Sequence, residues 1–275
     1  MNNLHEKTIF STGASRGIGR EISLRCARDG ANVVITGKTA EAHAKLPGTI
    51  HSVATEVERA GGRALAIQLD VRDETVLQAA VEQAAQHFGG IDVLVNNASA
   101  INLTKTLDTP AKRLDLMWDV NMRATFLASQ ACIPHLKKST NPHILTMSPP
   151  LNMEAKWFAP HVAYSISKYG MSLCAHGMAM EFAKDGIAVN CLWPRTVIAT
   201  AAIEFNFPQA ILRASRNPAI VADAAYHILT RNSRDCTGNV FVDEDMLRTT
   251  GVTDFEKYAT TPGAPLFEDF FLDRL

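Results

Sequence analysis

The run Thr12-Gly13-Ala14-Ser15-Arg16-Gly17-Ile18-Gly19 leaves this chain few folds to choose from. Thr8-Ile9-Phe10 before it has the β-branched and aromatic character of a buried strand, and 20–29 after it carries Ile22, Leu24, Cys26 and Ala27 on one helical face. Strand, glycine turn and helix in that order build an anion site. Gly13 permits a turn most side chains would obstruct, Gly17 lets backbone approach a diphosphate, and Gly19 lets the helix pack closely. The free N–H groups and positive dipole end of the helix then face a phosphate. Glycines also punctuate ordinary turns, so the rest of the chain has to decide.

Downstream the pattern repeats. Strand-like runs at 32–37, 64–69, 91–95, 143–147, 187–192 and 239–243 alternate with helical periodicities at 51–60, 73–88, 111–137, 164–184 and 219–231. Such alternation predicts an α/β protein with a doubly wound, Rossmann-like parallel sheet of about seven strands, helices on both faces and a site at the carboxyl edge. With 275 residues and 47% hydrophobic composition, one domain over 1–275 suffices, carrying a substrate lid near 194–215 and a C-terminal tail at 244–275. A net charge of −1 and the absence of a basic run argue against a nucleic-acid partner. The scattered cysteines make no C-x-x-C and the histidines no H-E-x-x-H, so no metal site is expected. No stretch is long enough to span a bilayer and the first residues have no apolar signal segment, which makes the cytoplasm the expected compartment.

The end of the second strand bears on the cofactor. An NAD-selective site puts an acidic residue there for the ribose hydroxyls, whereas this chain offers Lys38 and Thr39, with Arg16 in the glycine loop. Two cations and no carboxylate point to a ribose phosphate, hence NADP(H); solvated surface cations are the competing reading. The stretch 39–50, with Pro47-Gly48, reads as a long loop over the adenosine half.

Tyr164 and Lys168 lie one helical turn apart on a single face. A lysine charge at that range lowers a tyrosine pKa by roughly 1–3 units from about 10, which brings it within reach of proton exchange with an alcohol or ketone. Taken in order, Thr12–Gly19, Asn96-Asn97-Ala98, Asn121 and Tyr164-x-x-x-Lys168 resemble the short-chain dehydrogenase/reductase superfamily. A narrower resemblance, to the hydroxysteroid dehydrogenase-like protein two branch, rests on phrases such as Ser148-Pro149-Pro150-Leu151-Asn152 and Asp269-Phe270-Phe271-Leu272-Asp273. Larger members append a sterol-carrier domain, which is not expected in this chain.

The resemblance implies an NADP-dependent oxidoreductase. Tyr164 would be general acid/base, Lys168 would lower its pKa and hold the nicotinamide ribose, and Asn121 would serve a proton relay. Gly13, Ala14, Ser15, Arg16, Gly17, Ile18, Gly19, Lys38, Asp70, Asn97, Ala98 and Lys168 would contact the cofactor. Asp70 would accept from the adenine amino group, although by itself it reads equally well as a helix cap. Asn96 would steady the central sheet. A homo-oligomer, dimer or tetramer, is also implied, with the helices around 111–137 and 163–184 at the interface.

One position departs from the family pattern. Pro149 stands where a substrate-orienting serine is usual, with Ser148 one residue early. Loss of one donor to a developing oxyanion costs roughly 2.7–4 kcal/mol, so either Ser148 or Asn152 approaches the carbonyl or catalysis is weak. The alternative is therefore an NADP(H)-binding protein with little or no turnover. Met153, Trp157, Phe158, Ile203, Phe205 and Phe207 flank the expected cleft and suit an apolar or acyl-chain carbonyl substrate, or else pack a lid.

Overall fold

The computed structural model describes residues 3–42 and 46–273, so part of the long loop after the second strand lies outside the described residues. Its sheet has seven parallel strands in the order β3-β2-β1-β4-β5-β6-β7. They are β1 (Thr8–Ser11), β2 (Asn32–Gly37), β3 (Arg63–Gln68), β4 (Val93–Asn96), β5 (His143–Thr146), β6 (Ala188–Trp193) and β7 (Val240–Val242). β1, β2, β4, β5 and β6 are buried along their whole length, because helices cover both faces and no strand needs polar alternation. The chain winds outward from β1 to β3, then returns to β4 on the other side. That reversal opens a crevice at the carboxyl ends of β1 and β4, which is where the glycine run emerges.

Helices α1 (Gly17–Ala27), α2 (Ile50–Arg59) and α9 (Ala219–Leu229) join one apolar layer with β-strand side chains such as Ile9, Val33 and Leu192. α3 (Glu74–Phe88), α5 (Ala124–Leu136) and α6 (Val162–Glu181) join the other, around Phe10, Val34 and Leu94. Local chemistry sets the boundaries. Thr49 and Ser52 form a reciprocal capping box on α2, Asp73 accepts from the Val76 N–H to start α3, and Gly89, left-handed at φ 85°, ends it.

The sequence suggests one helix over 111–137, but the structure interrupts it. Between α4 (Ala111–Met117) and α5, residues Trp118–Arg123 form a π-helical turn. Asn121 sits inside that turn, and its amide bonds other elements: Nδ2 donates to the Ala100 carbonyl (3.0 Å) and Ser167 Oγ (2.9 Å), while Oδ1 accepts from the Ala100 N–H (2.7 Å). An interior asparagine with better partners outside its own helix explains the wider turn.

The lid region holds two short helices, α7 (Ala201–Asn206) and α8 (Gln209–Arg213). After α10 (Asp243–Arg248) the chain returns across the molecule. Its last described stretch runs beside 195–197: Phe267 O accepts from the Val197 N–H (2.9 Å), the Asp269 N–H donates to Arg195 O (3.1 Å), and Thr196 bridges Glu268 in antiparallel fashion. A third apolar cluster of Met117, Tyr164, Tyr169, Trp193 and Phe271 fixes this tail to the mouth of the sheet.

Candidate active site

The carboxyl edge carries a cleft of about 560 Å³ that runs from the glycine loop to Tyr164 and Lys168. Gly13 (φ 66°) and Gly17 (φ 57°) both occupy the left-handed region. A Cβ on Gly13 would lie 2.9 Å from Ala98 Cα, and one on Gly19 would lie 2.5 Å from Asn97 Nδ2. Loop and β4 terminus are therefore clamped together. Asn97 Nδ2 donates to the carbonyls of Thr12 and Gly13 (3.0 Å each), and Thr12 Oγ1 accepts from the Asn97 and Ala98 N–H groups. No side chain caps the start of α1, so its first N–H groups face the cleft unpartnered by a cap. Uncapped donors and a cradle closed to any Cβ together fit the diphosphate of a dinucleotide.

At the adenosine end, Arg16 is pinned by Thr39 Oγ1 (3.0 Å) and by the carbonyls of Pro47 and Gly48. Lys38, largely exposed, pairs with Asp70 at 3.2 Å. Asp70 is also gripped by Nε and Nη2 of the Arg72 guanidinium, whose hydrogen bonds hold its carboxyl well below the usual range. The sequence therefore reads only part of this end. No carboxylate stands at the end of β2, yet the end of β3 delivers one beside Lys38, and Arg72 adds a third cation. Asp70 does not cap α3; Asp73 does.

Tyr164 and Lys168 share the cleft wall, both buried. The ammonium of Lys168 donates to the Met147 carbonyl (2.6 Å) and lies 5.1 Å from the Trp193 ring centroid. No hydrogen bond joins it to Tyr164 among the described residues. Burial pushes Lys168 down to about 7, with the charge of Asp269 opposing. The expected lowering of Tyr164 is not what its surroundings produce. Burial, then the Asp269 charge, push the phenol well above its ordinary value. Burial thus favours the proton-bearing form of Tyr164.

Gly13, Ser15, Arg16, Gly17, Ile18, Lys38, Asp70, Asn97 and Ala98 line the cleft, whereas Ala14 and Gly19 lie behind it. Asn121 is fully buried and does not line it; it positions the Ala100 loop and Ser167 instead. Asn96 is buried, donating to Ser129 Oγ (3.2 Å) inside the central sheet. Ser148 is fully buried, its hydroxyl facing the Cys191 thiol, and is not part of the cleft wall. Asn152 turns to Asp273 (2.8 Å) and accepts from Tyr169 Oη. Neither supplies a donor where Pro149 has none. Ile203, Phe205 and Phe207 line the cleft as expected, but Met153 is exposed, and Trp157 and Phe158 pack on Phe271 and Tyr169 beneath it.

Sequence reasoning misses the tail. Asp269 and Phe270 line the cleft beside Lys168, and burial together with the charge of Asp243 pushes the Asp269 carboxyl up to about 7, against its bond from the Phe270 N–H and the pull of Lys168. The repeated aromatics Phe270-Phe271 mark the segment as core, but nothing local ties it to a residue a hundred positions earlier.

The profile of the short chain dehydrogenase family matches residues 7–209. Hydroxysteroid dehydrogenase-like protein 2 of Xenopus tropicalis is 58% identical over 267 residues, 97% of this chain and 64% of that protein. The Homo sapiens protein of the same name is 57% identical, again over 97% of this chain and 63% of its own length. The chain thus spans just under two thirds of these relatives. A crystal structure of a short chain dehydrogenase from Mycobacterium thermoresistibile superposes with a TM-score of 0.93 at 49% identity, covering 98% of this chain and 96% of that one. A hydroxysteroid dehydrogenase from Escherichia coli superposes with a TM-score of 0.74 at 28% identity, over 87% and 96% of the two chains.

Proposed function

The chain belongs to the short-chain dehydrogenase family, and on that premise we propose that it is an NADP(H)-dependent oxidoreductase acting on a carbonyl or alcohol attached to an apolar or acyl-chain body. The observation that carries the reading is the single cleft joining the glycine loop to Tyr164 and Lys168. A bound reduced nicotinamide supplies the hydride that adds to the carbonyl carbon. Tyr164 gives its phenolic proton to the carbonyl oxygen as the C=O π bond opens, so that ketone, hydride and proton make the alcohol. Lys168 supports the resulting phenolate and the ribose hydroxyls. Gly13, Ser15, Arg16, Gly17, Ile18, Asn97 and Ala98 hold the diphosphate and nicotinamide ribose. Asp70 and Arg72 bound the adenine, and Arg16 and Lys38 receive the ribose phosphate, with three cations set against one carboxylate supporting NADP(H) over NAD(H). Ile203, Phe205 and Phe207 shield the substrate body from water.

A homo-oligomer is part of this reading. It is supported by Ile166, Leu173 and Met180, exposed apolar side chains repeating along one stripe of α6, with Trp118 and Phe126 exposed on neighbouring turns. The cytoplasm is the proposed compartment. No helix among the described residues is long and apolar enough to cross a membrane, and the cysteines are free. A second reading, cofactor binding with little turnover, is favoured by one observation: the Ser148 hydroxyl is buried away from the cleft. Calorimetry with NADPH, followed by cofactor oxidation against a panel of long-chain ketones and aldehydes, separates the two. Turnover of any panel member supports the enzyme; tight binding without turnover supports the second reading.

A further inference from the structure

The reacting end of the cleft holds a carboxyl group that the fold goes to some length to place. Asp269 is fixed by its own N–H to Arg195 O and by the Trp193 Nε1–H to Phe270 O (2.9 Å). Phe271, in the left-handed region at φ 71°, is buried against Tyr164, Tyr169 and Trp193. One oxygen of Asp269 accepts from the Phe270 N–H (2.7 Å), and the other has no hydrogen-bond partner among the described residues. Among them, Asp269 is the one carboxylate whose charge acts on both Tyr164 and Lys168. The groups facing it are Lys168 and Tyr164 from α6 and Asp243 from the start of α10, with His161 against Phe270. Around them the wall is apolar: Ile101, Leu116, Phe267 and Phe270.

A carboxyl with one oxygen open to a largely apolar cleft calls for a particular partner. If ionised, it needs a donor; if neutral, it offers a donor and an acceptor. A hydroxyl satisfies either form, whereas a carboxylate meets repulsion from the ionised one. Resting on the oxidoreductase reading above, we infer that Asp269 is a specificity-determining residue: its free oxygen hydrogen-bonds a substrate hydroxyl one or two carbons from the reacting carbonyl. The substrates are hydroxy ketones on an apolar chain, and reduction converts them to diols, with the hydride added at carbon and the Tyr164 proton at oxygen.

The test compares kcat/KM for octyl hydroxymethyl ketone, octyl methyl ketone and octylglyoxylic acid at saturating NADPH, so that general damage to a variant cancels in the ratios. The wild type is expected to favour the hydroxymethyl over the methyl ketone by about tenfold to a hundredfold, the range of one hydrogen bond to a charged group. Asp269→Leu brings that ratio near one. Asp269→Asn, which keeps the shape and the Phe270 contact, accepts octylglyoxylic acid at least about tenfold better than wild type, a gain that misfolding cannot produce. A wild-type ratio near one, or an unchanged rejection of the acid by Asp269→Asn, overturns the inference while leaving the oxidoreductase reading in place. No turnover of any of the three by the wild type overturns both.

Discussion

Replacing Phe271 by alanine should release the tail without unfolding the domain. Phe271 is 1% exposed and lies with ring centroids 5.2 Å from Tyr169, 5.8 Å from Trp193 and 6.3 Å from Tyr164. Truncating such a ring costs about 3–5 kcal/mol. The buried hydrogen bonds that tie this end down, Asp269 N–H to Arg195 O and Trp193 Nε1–H to Phe270 O, return only about 1–3 kcal/mol together, and the Asn152 and Lys156 contacts with Asp273 are exposed to water and add little. The loss therefore exceeds what remains, and the segment from 268 onward opens. Neither of the two large core clusters includes Phe271, so the sheet stays intact. Hydrogen–deuterium exchange read by mass spectrometry should show protection over 266–273 falling by about a hundredfold or more, with a change of only a few degrees in Tm. Tyr164, relieved of burial, should then ionise at lower pH in an ultraviolet titration. Unchanged tail exchange, or a global collapse with no selective loss at the tail, would refute the reasoning.

Three further outcomes follow from the same structure. NADPH should bind at least about tenfold more tightly than NADH, a difference of only about 1.4 kcal/mol, and Lys38→Glu should erase it; equal dissociation constants for the wild type by calorimetry rule this out. Asp243, fully buried with one oxygen unpartnered, is pushed by burial up to about 7 from an ordinary value near 4. Its raised folded pKa means this contribution to stability is fully present below about 4 and lost as pH rises through about 7, so Asp243→Asn should remove that downward slope from the denaturant midpoints, Asp269 contributing in the same direction and His143, pushed down to about 4 by burial, in the opposite one. A gap between wild type and Asp243→Asn that shifts in favour of the wild type from pH 5 to pH 8 contradicts that sign. Light scattering should find a dimer or tetramer at micromolar concentration, and Leu173→Glu on the exposed stripe of α6 should shift it toward monomer.

Much of the frame was legible because it is local. Gly13 and Gly17 need left-handed backbone that glycine supplies cheaply, the buried strands have apolar, β-branched-rich centres, and Tyr164 and Lys168 share a face by helical geometry alone. What escaped depends on contacts between distant segments. Asp70 reaches Lys38 because β3 runs beside β2, and Arg72 joins them only through that pairing. The Tyr164 phenol goes up and not down because the tail buries it, a fact carried by Phe271 and Asp269 more than a hundred residues away. Asn121 was conspicuous as a polar residue inside a helix, but its consequence, a π turn holding Ala100 and Ser167, required knowing what lies opposite.

The central claim is that Tyr164 gives the proton in a hydride transfer at this cleft, and Tyr164→Phe tests it most directly. The ring, its packing on Phe271 and the cofactor loop are all retained, and only the phenolic proton is removed. Measured side by side on the same preparation, NADPH affinity by calorimetry should stay within about twofold of wild type, while kcat for the best carbonyl of the panel falls by at least about a hundredfold. A variant that still turns over at more than a tenth of the wild-type rate contradicts the account.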